Sequence, residues 1–154
     1  VDYMIVDLPP GTGDTQLTLS QKIPVSGAVI VTTPQDIALI DAQKGLAMFE
    51  KVNIPILGIV ENMSIHICSN CNHAEEIFGN GGGERMAASS KTKFLGALPL
   101  KLEIRTDVDE GTPSVAKDPE SKVSMMYQQI ARNVAATLSL QSESIGAFPK
   151  ITIE

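Results

Sequence analysis

A chain of 154 residues with 43% hydrophobic side chains suits one domain and can bury one core. Its formal net charge of −6, with no cluster of Lys and Arg, excludes a general nucleic-acid or anionic-membrane surface, since such surfaces work by counterion release. No apolar run approaches the roughly eighteen residues of a membrane span and no basic leader opens the chain, so a cytoplasmic location is expected.

The first apolar run, Tyr3 to Val6, leads into IVDLPPGTGD at residues 5–14. Runs of the same Val- and Ile-rich kind recur at Gly27 to Thr32, Ile56 to Val60 and Phe94 to Leu98. Their hydrophobicity is continuous rather than alternating, which suits strands covered on both faces and hence a parallel sheet. After the second run, Leu39, Ala42, Leu46 and Phe49 recur at helical spacing, with Asp36 placed to cap the start and Pro55 beyond the end. Gly81 to Gly83 lacks the Lys-Ser/Thr of a phosphate loop and reads as a flexible lead into a helix over Glu84 to Ser90. Lys101 to Asp109 reads as a solvated helix. Val123, Met126, Tyr127, Ile130, Val134 and Leu138 form the apolar stripe of a long closing helix, with Ser121 as its N-cap and Met125 and Met126 as packing residues. The pattern predicts an α/β fold, a mostly parallel sheet with helices on both faces, in a domain over residues 1–140 with a loose tail over 141–154.

Asp7 ends the first run. A carboxylate at the C-terminal end of a buried strand is where an open α/β sheet presents ligands and where Mg²⁺ is held, which makes Asp7 a candidate Walker B aspartate. Two prolines then remove donors, so the next free amide belongs to Gly11, whose missing Cβ permits close approach to a phosphate. A strand that simply ends in a Pro-Gly turn has the same residues. The glycine-rich partner loop GxxxxGK[ST] occurs nowhere in the 154 residues.

Cys68 and Cys71 in CSNC have the C-x₂-C spacing that lets two thiolates bind one metal centre, and two further ligands must complete it. His66 and His73 of the same chain would give a Zn²⁺ site. The cysteine pair of a second chain across a two-fold axis would suit a [4Fe–4S] cluster. A redox dithiol is a third reading, although SNCNH looks like a turn rather than a helix start.

The blocks DLPPGTGD, LTLSQ, VIVTTPQDIALIDAQKG, MFEKVNIPILGIVENMS, CSNC and IFGNGGG together resemble the Mrp/ApbC family of MinD-like P-loop ATPases, which are implicated in carrying iron–sulfur clusters. The resemblance runs from about Asp2 to Leu138. It implies ATP and Mg²⁺ as cofactors, Asp7 near the Mg²⁺ as the catalytic aspartate, and Gly11 facing the γ-phosphate. Asn62 would hydrogen-bond adenine, an amide matching its N6 and N7; an Asn that satisfies loop backbone at a strand end is the plainer account of that residue. The turn at Pro99 and Leu100 would form the other wall of the base pocket. The resemblance also implies a homodimer through the CxxC loop, with Cys68 and Cys71 of each protomer holding a bridging [4Fe–4S] cluster, and apo iron–sulfur proteins as recipients. Neither nucleic acid nor membrane is an expected partner. On this reading the chain is the C-terminal portion of a longer ATPase, cut just before its Walker B strand. Two readings compete with it. One is a zinc-binding interaction module. The other is a MinD-like positioning ATPase, which would want a basic amphipathic helix where the sequence has SIGAFPKITIE.

Overall fold

A computed structural model describes residues 2–8, 18, 22–68, 70–71 and 73–141. The chain runs β1 (Ala28–Thr32), α1 (Asp36–Lys51), β2 (Ile56–Glu61), β3 (His66–Ile67), β4 (Ala74–Glu75), α2 (Gly82–Ser89), β5 (Phe94–Ala97), α3 (Leu102–Asp109), α4 (Ser114–Lys117) and α5 (Lys122–Gln141). Three of the Val- and Ile-rich runs become a parallel sheet in the order β1-β2-β5, with β2 in the middle. Successive residues of a strand point to opposite faces, and here both faces are covered. Ile30 and Ile59 pack with Leu46 of α1 and with Met86 and Ala87 of α2. On the other side Val60, Leu95 and Leu98 pack with Tyr127, Ile130 and Val134 of α5. Each buried Leu or Ile removes apolar area worth about 2 kcal/mol from water. The expected α/β architecture with helices on both faces is what these contacts build.

Helix termini explain several boundaries. α1, α2 and α3 end alike, on a residue with positive φ at Asn53, Lys91 and Gly111. In each, the next amide reaches back to the third-last helical carbonyl: Ile54 to Phe49, Thr92 to Ala87 and Thr112 to Asp107. This closure satisfies carbonyls that a helix end otherwise leaves open. At the start of α5 the Ser121 hydroxyl accepts the Ser124 N–H at 3.1 Å, as expected of an N-cap. α1 differs from expectation, for its cap residue is Gln35, whose side chain makes no capping bond to the helix and instead accepts the Thr33 hydroxyl at 3.4 Å, and Asp36 is already helical. There Asp36 still favours the positive end of the helix dipole.

Four expectations are corrected. The run Tyr3 to Val6 is not a strand: residues 2–8 carry no regular structure and Ile5 is 85% exposed. Apolar character gives a segment the capacity to pair, and a strand exists only where a neighbour supplies the ladder. Gly82 and Gly83 are buried inside α2 rather than forming a flexible lead. A Cβ on Gly82 would lie 2.8 Å from the Pro34 carbonyl and from Leu39 Cδ1, so glycine is needed for close packing. α3 forms where the solvated helix was expected, but it is not solvated throughout, for Asp107 is buried and Ile104 and Thr106 are half-buried. Met125 and Met126 are exposed, at 50% and 38%, and stand outside the core cluster, because Tyr127 and Ile130 take the sheet-facing side of α5. The tail from residue 142 onward, like Gly11, lies outside the described residues. No helix among the described residues is long and apolar enough to cross a membrane.

Candidate functional site

Thr32, Glu61 and Ala97 stand in register at the C-terminal edge of the sheet. Ligands of open parallel sheets bind at this edge. Beyond it, the chains leaving β2 and β5 continue side by side. The Asn62 N–H donates to the Thr32 carbonyl at 2.7 Å, the Leu98 N–H to Glu61 at 2.8 Å, the Ser64 N–H to Leu98 at 2.9 Å and the Leu100 N–H to Ile65 at 2.8 Å. Asn62 and Pro99 are thus brought onto neighbouring strand exits, the half-buried amide on one and the buried ring on the other. Asn62 Oδ1 accepts the Met63 N–H at 2.9 Å, which orients the amide and leaves its NH₂ group and the second lone pair of the oxygen for a ligand.

The same extension carries the cysteines. His66 bridges to Leu100, and β3 and β4 pair antiparallel, His66 with Glu75 and Ile67 with Ala74. The Cys68 N–H donates to the His73 carbonyl at 2.9 Å, so the CxxC segment is the turn of a short hairpin, as SNCNH suggested. Cys68 is half-buried, Cys71 is exposed, and both are free thiols. The backbone N–H of Cys71, then that of Asn70, then the Cys71 side chain hold the Cys68 thiol below its ordinary range. A lowered pKa favours the thiolate, the form that binds metals and attacks electrophiles.

The histidines do not join them. His66 Nδ1 lies 3.2 Å from the Leu100 carbonyl, to which it can donate, and His73 Nε2 stands 4.0 Å from the Glu75 carboxylate. Among the described residues no group of three or more His, Cys, Asp and Glu side chains could hold a metal ion. Among the described residues the chain offers two thiols and no third ligand near them.

Beside Cys68 opens a cavity of about 480 Å³, walled by Ile67, Lys101, Leu102, Thr106, Asp107 and Lys117 among others. Its Asp107 accepts the Ser114 hydroxyl at 2.8 Å and the Lys117 ammonium at 2.6 Å. These contacts, Lys117 first, hold the Asp107 carboxyl below its usual range, and Asp107 in turn raises Lys117. Sequence reasoning missed Asp107, since only the Gly111 to Pro113 turn folds α4 back over it. It also missed Glu61, although the cue was present: GIVE ends an apolar run in a carboxylate just as IVD does.

Of the two phosphate-side residues Asp7 alone is described, and it is exposed on a segment outside the sheet.

Comparison with known proteins places this geometry. The ParA family, described as NUBPL iron-transfer P-loop NTPase, matches residues 1–135. The iron-sulfur cluster carrier protein of Escherichia coli K12 is 61% identical over 145 residues, 94% of this chain and 39% of the relative. The iron-sulfur cluster transfer protein NUBPL of Mus musculus is 50% identical over 143 residues, 93% of this chain and 45% of its own length. The chain therefore spans less than half the length of these relatives. Among solved structures, a nucleotide-binding protein from Archaeoglobus fulgidus in complex with ADP superposes with a TM-score of 0.67 at 36% identity, over 79% of this chain and 49% of that one. The MinD cell division protein of Aquifex aeolicus gives 0.64 at 19% identity, over 96% and 55%, and supports the fold alone. The sheet, the CxxC hairpin and the family match agree: the chain belongs to the ParA family of NUBPL iron-transfer P-loop NTPases.

Proposed function

We propose that this chain is the cluster-bearing part of a nucleotide-governed iron–sulfur carrier. Cys68 and Cys71 of two protomers ligate one [4Fe–4S] cluster as cargo and release it to apo iron–sulfur proteins. The observation that carries this reading is the hairpin turn itself. It presents two free thiols at the end of a short, exposed ladder, with no third ligand from the same chain among the described residues. Two thiolates per chain fall short of a tetrahedral zinc site, whereas two chains meeting at a two-fold axis supply the four that a [4Fe–4S] cluster takes. The relatives named as cluster carrier and transfer proteins support the same cargo.

ATP with Mg²⁺ is the governing ligand on this reading. Asn62 and Pro99 fit the base side, lying on adjacent exits at the sheet edge where open α/β folds bind nucleotides. Asp7 is assigned to Mg²⁺ and catalysis and Gly11 to the γ-phosphate, from their pattern in the sequence. When bound, the nucleotide would supply a hydrolysable phosphate whose loss can reset the carrier.

Anaerobic reconstitution with iron and sulfide tests the reading. About four irons and four sulfides per dimer, with dimerisation that depends on the cluster, are expected. One Zn²⁺ per monomer in the purified protein, lost on substitution of either histidine, would replace the carrier with a zinc module.

A further inference from the structure

Glu61 is a carboxylic acid at 2% exposure, and a buried polar group without a partner costs roughly 2–7 kcal/mol. Its Oε2 accepts the backbone N–H of Gly83 at 2.7 Å. That amide lies in the first turn of α2, where N–H groups have no partner within the helix. The approach favours glycine: a Cβ on Gly83 would sit 3.0 Å from Glu61 Cβ and 3.3 Å from Oε2, so the Glu61 side chain would have to yield by a few tenths of an ångström. Residues 62–82 leave the sheet at Glu61 and return at this glycine. The segment begins with Asn62, carries both cysteines on its hairpin, and has its two feet joined by this one hydrogen bond.

Apolar packing does not explain the residue, because a Leu would fill a similar volume and bury more apolar surface. What Leu cannot do is accept the Gly83 N–H. We infer that Glu61 is the positioning residue of the cysteine hairpin: by holding the returning foot against the strand end, it fixes how the segment bearing Cys68 and Cys71 stands relative to Asn62. Its functional meaning rests on the cluster-carrier reading, while its geometry does not. A change at the sheet edge beside Asn62 has a direct mechanical route to the thiols through this contact.

The test compares Glu61→Gln, which keeps an acceptor in place, with Glu61→Leu, which keeps the bulk and loses the acceptor. Hydrogen–deuterium exchange is read over residues 64–80, with Ile59 and Val60 of β2 as the internal reference, and iron retention against a chelator is read after anaerobic reconstitution. In Glu61→Leu, exchange over 64–80 should rise by up to about tenfold, the scale of one lost hydrogen bond, while β2 keeps its protection and iron is lost faster. Glu61→Gln should stay close to wild type in both. Equal behaviour of Gln and Leu would reduce Glu61 to a packing residue and overturn the inference, as would a uniform rise across the sheet. If Glu61→Leu does not fold, Glu61→Met replaces it, an unbranched side chain of similar length without an oxygen acceptor. Undisturbed protection over 64–80 in that variant also overturns the inference. If the wild type takes up no iron, the carrier reading falls while the exchange comparison still decides the role of Glu61.

Discussion

The backbone N–H of Cys68 donates to the carbonyl of His73 at 2.9 Å, closing the turn that carries both thiols before any metal arrives. Cys68→Ser and Cys71→Ser should each reduce bound iron and sulfide to background and abolish cluster-dependent dimerisation, with melting temperature unchanged. Each substitution leaves only two thiolates for four irons. His66→Ala and His73→Ala should retain iron within about twofold, since neither ring is a ligand of a bridging Cys₄ site. Full iron content in either cysteine variant would remove the hairpin from the mechanism.

Asp107 and Lys117 form the ionic wall of the cavity beside Cys68, and their shifts have opposite consequences along the pH axis. The Asp107 carboxyl is lowered from its ordinary 3.8, so its contribution is fully present above that value and is lost as pH falls through the lower native one. Lys117 is raised from 10.5, so its contribution is present below that value and is lost as pH climbs through the raised one. Denaturation of wild type and Asp107→Asn should therefore differ by a constant amount near neutrality and converge in acid below 3.8. A gap that widens with acidification would show that the pair does not stabilise the fold.

Lys91 holds a φ of +53° at the end of α2, where a side chain is strained and glycine is not. Lys91→Gly should raise stability by about 0.5–1 kcal/mol, the relief of the left-handed conformation less the added freedom of the unfolded chain. The urea midpoint should move up at unchanged slope. A lower midpoint would mean that the Lys91 side chain contributes more than its backbone costs.

This chain, which contains no GxxxxGK[ST] sequence, should bind Mg²⁺–ATP poorly, because cradling the phosphates needs the backbone amides and lysine of such a loop. Titration calorimetry should show no heat of binding at micromolar nucleotide. An affinity of about 1 μM, some −8 kcal/mol, would place the nucleotide site on residues other than those assigned.

Legibility followed the range of the interactions. β1, β2 and β5 could be read because each is an unbroken apolar run, although only β2 is buried almost throughout and Val31 of β1 is 61% exposed. The same pattern misled at Tyr3 to Val6, where pairing depends on a neighbour that composition does not reveal. Spacing exposed Cys68 and Cys71, and the turn around them, since that chemistry is local. The triple glycine was misread because loose loops and the tightest contacts both favour residues without side chains. Only the placement of Pro34, Leu39 and Glu61 around Gly82 and Gly83 separates the two. Asp107 was hidden for a related reason, its partners Ser114 and Lys117 arriving through a turn from the next helix.

The hairpin sits inside the connection between β2, which ends at Glu61, and β5, which begins at Phe94. Pairing of these two strands must close that whole connection, and the hairpin makes it more than twice as long as α2 and its short flanking turns would need. Because closure entropy grows only with the logarithm of length, this enlargement costs less than about 1 kcal/mol. A sheet of this kind can therefore carry such a hairpin at a small cost in closure entropy. Changes in hairpin length or sequence should accordingly act on the chemistry at its turn while leaving the unfolding transition of the core nearly where it was.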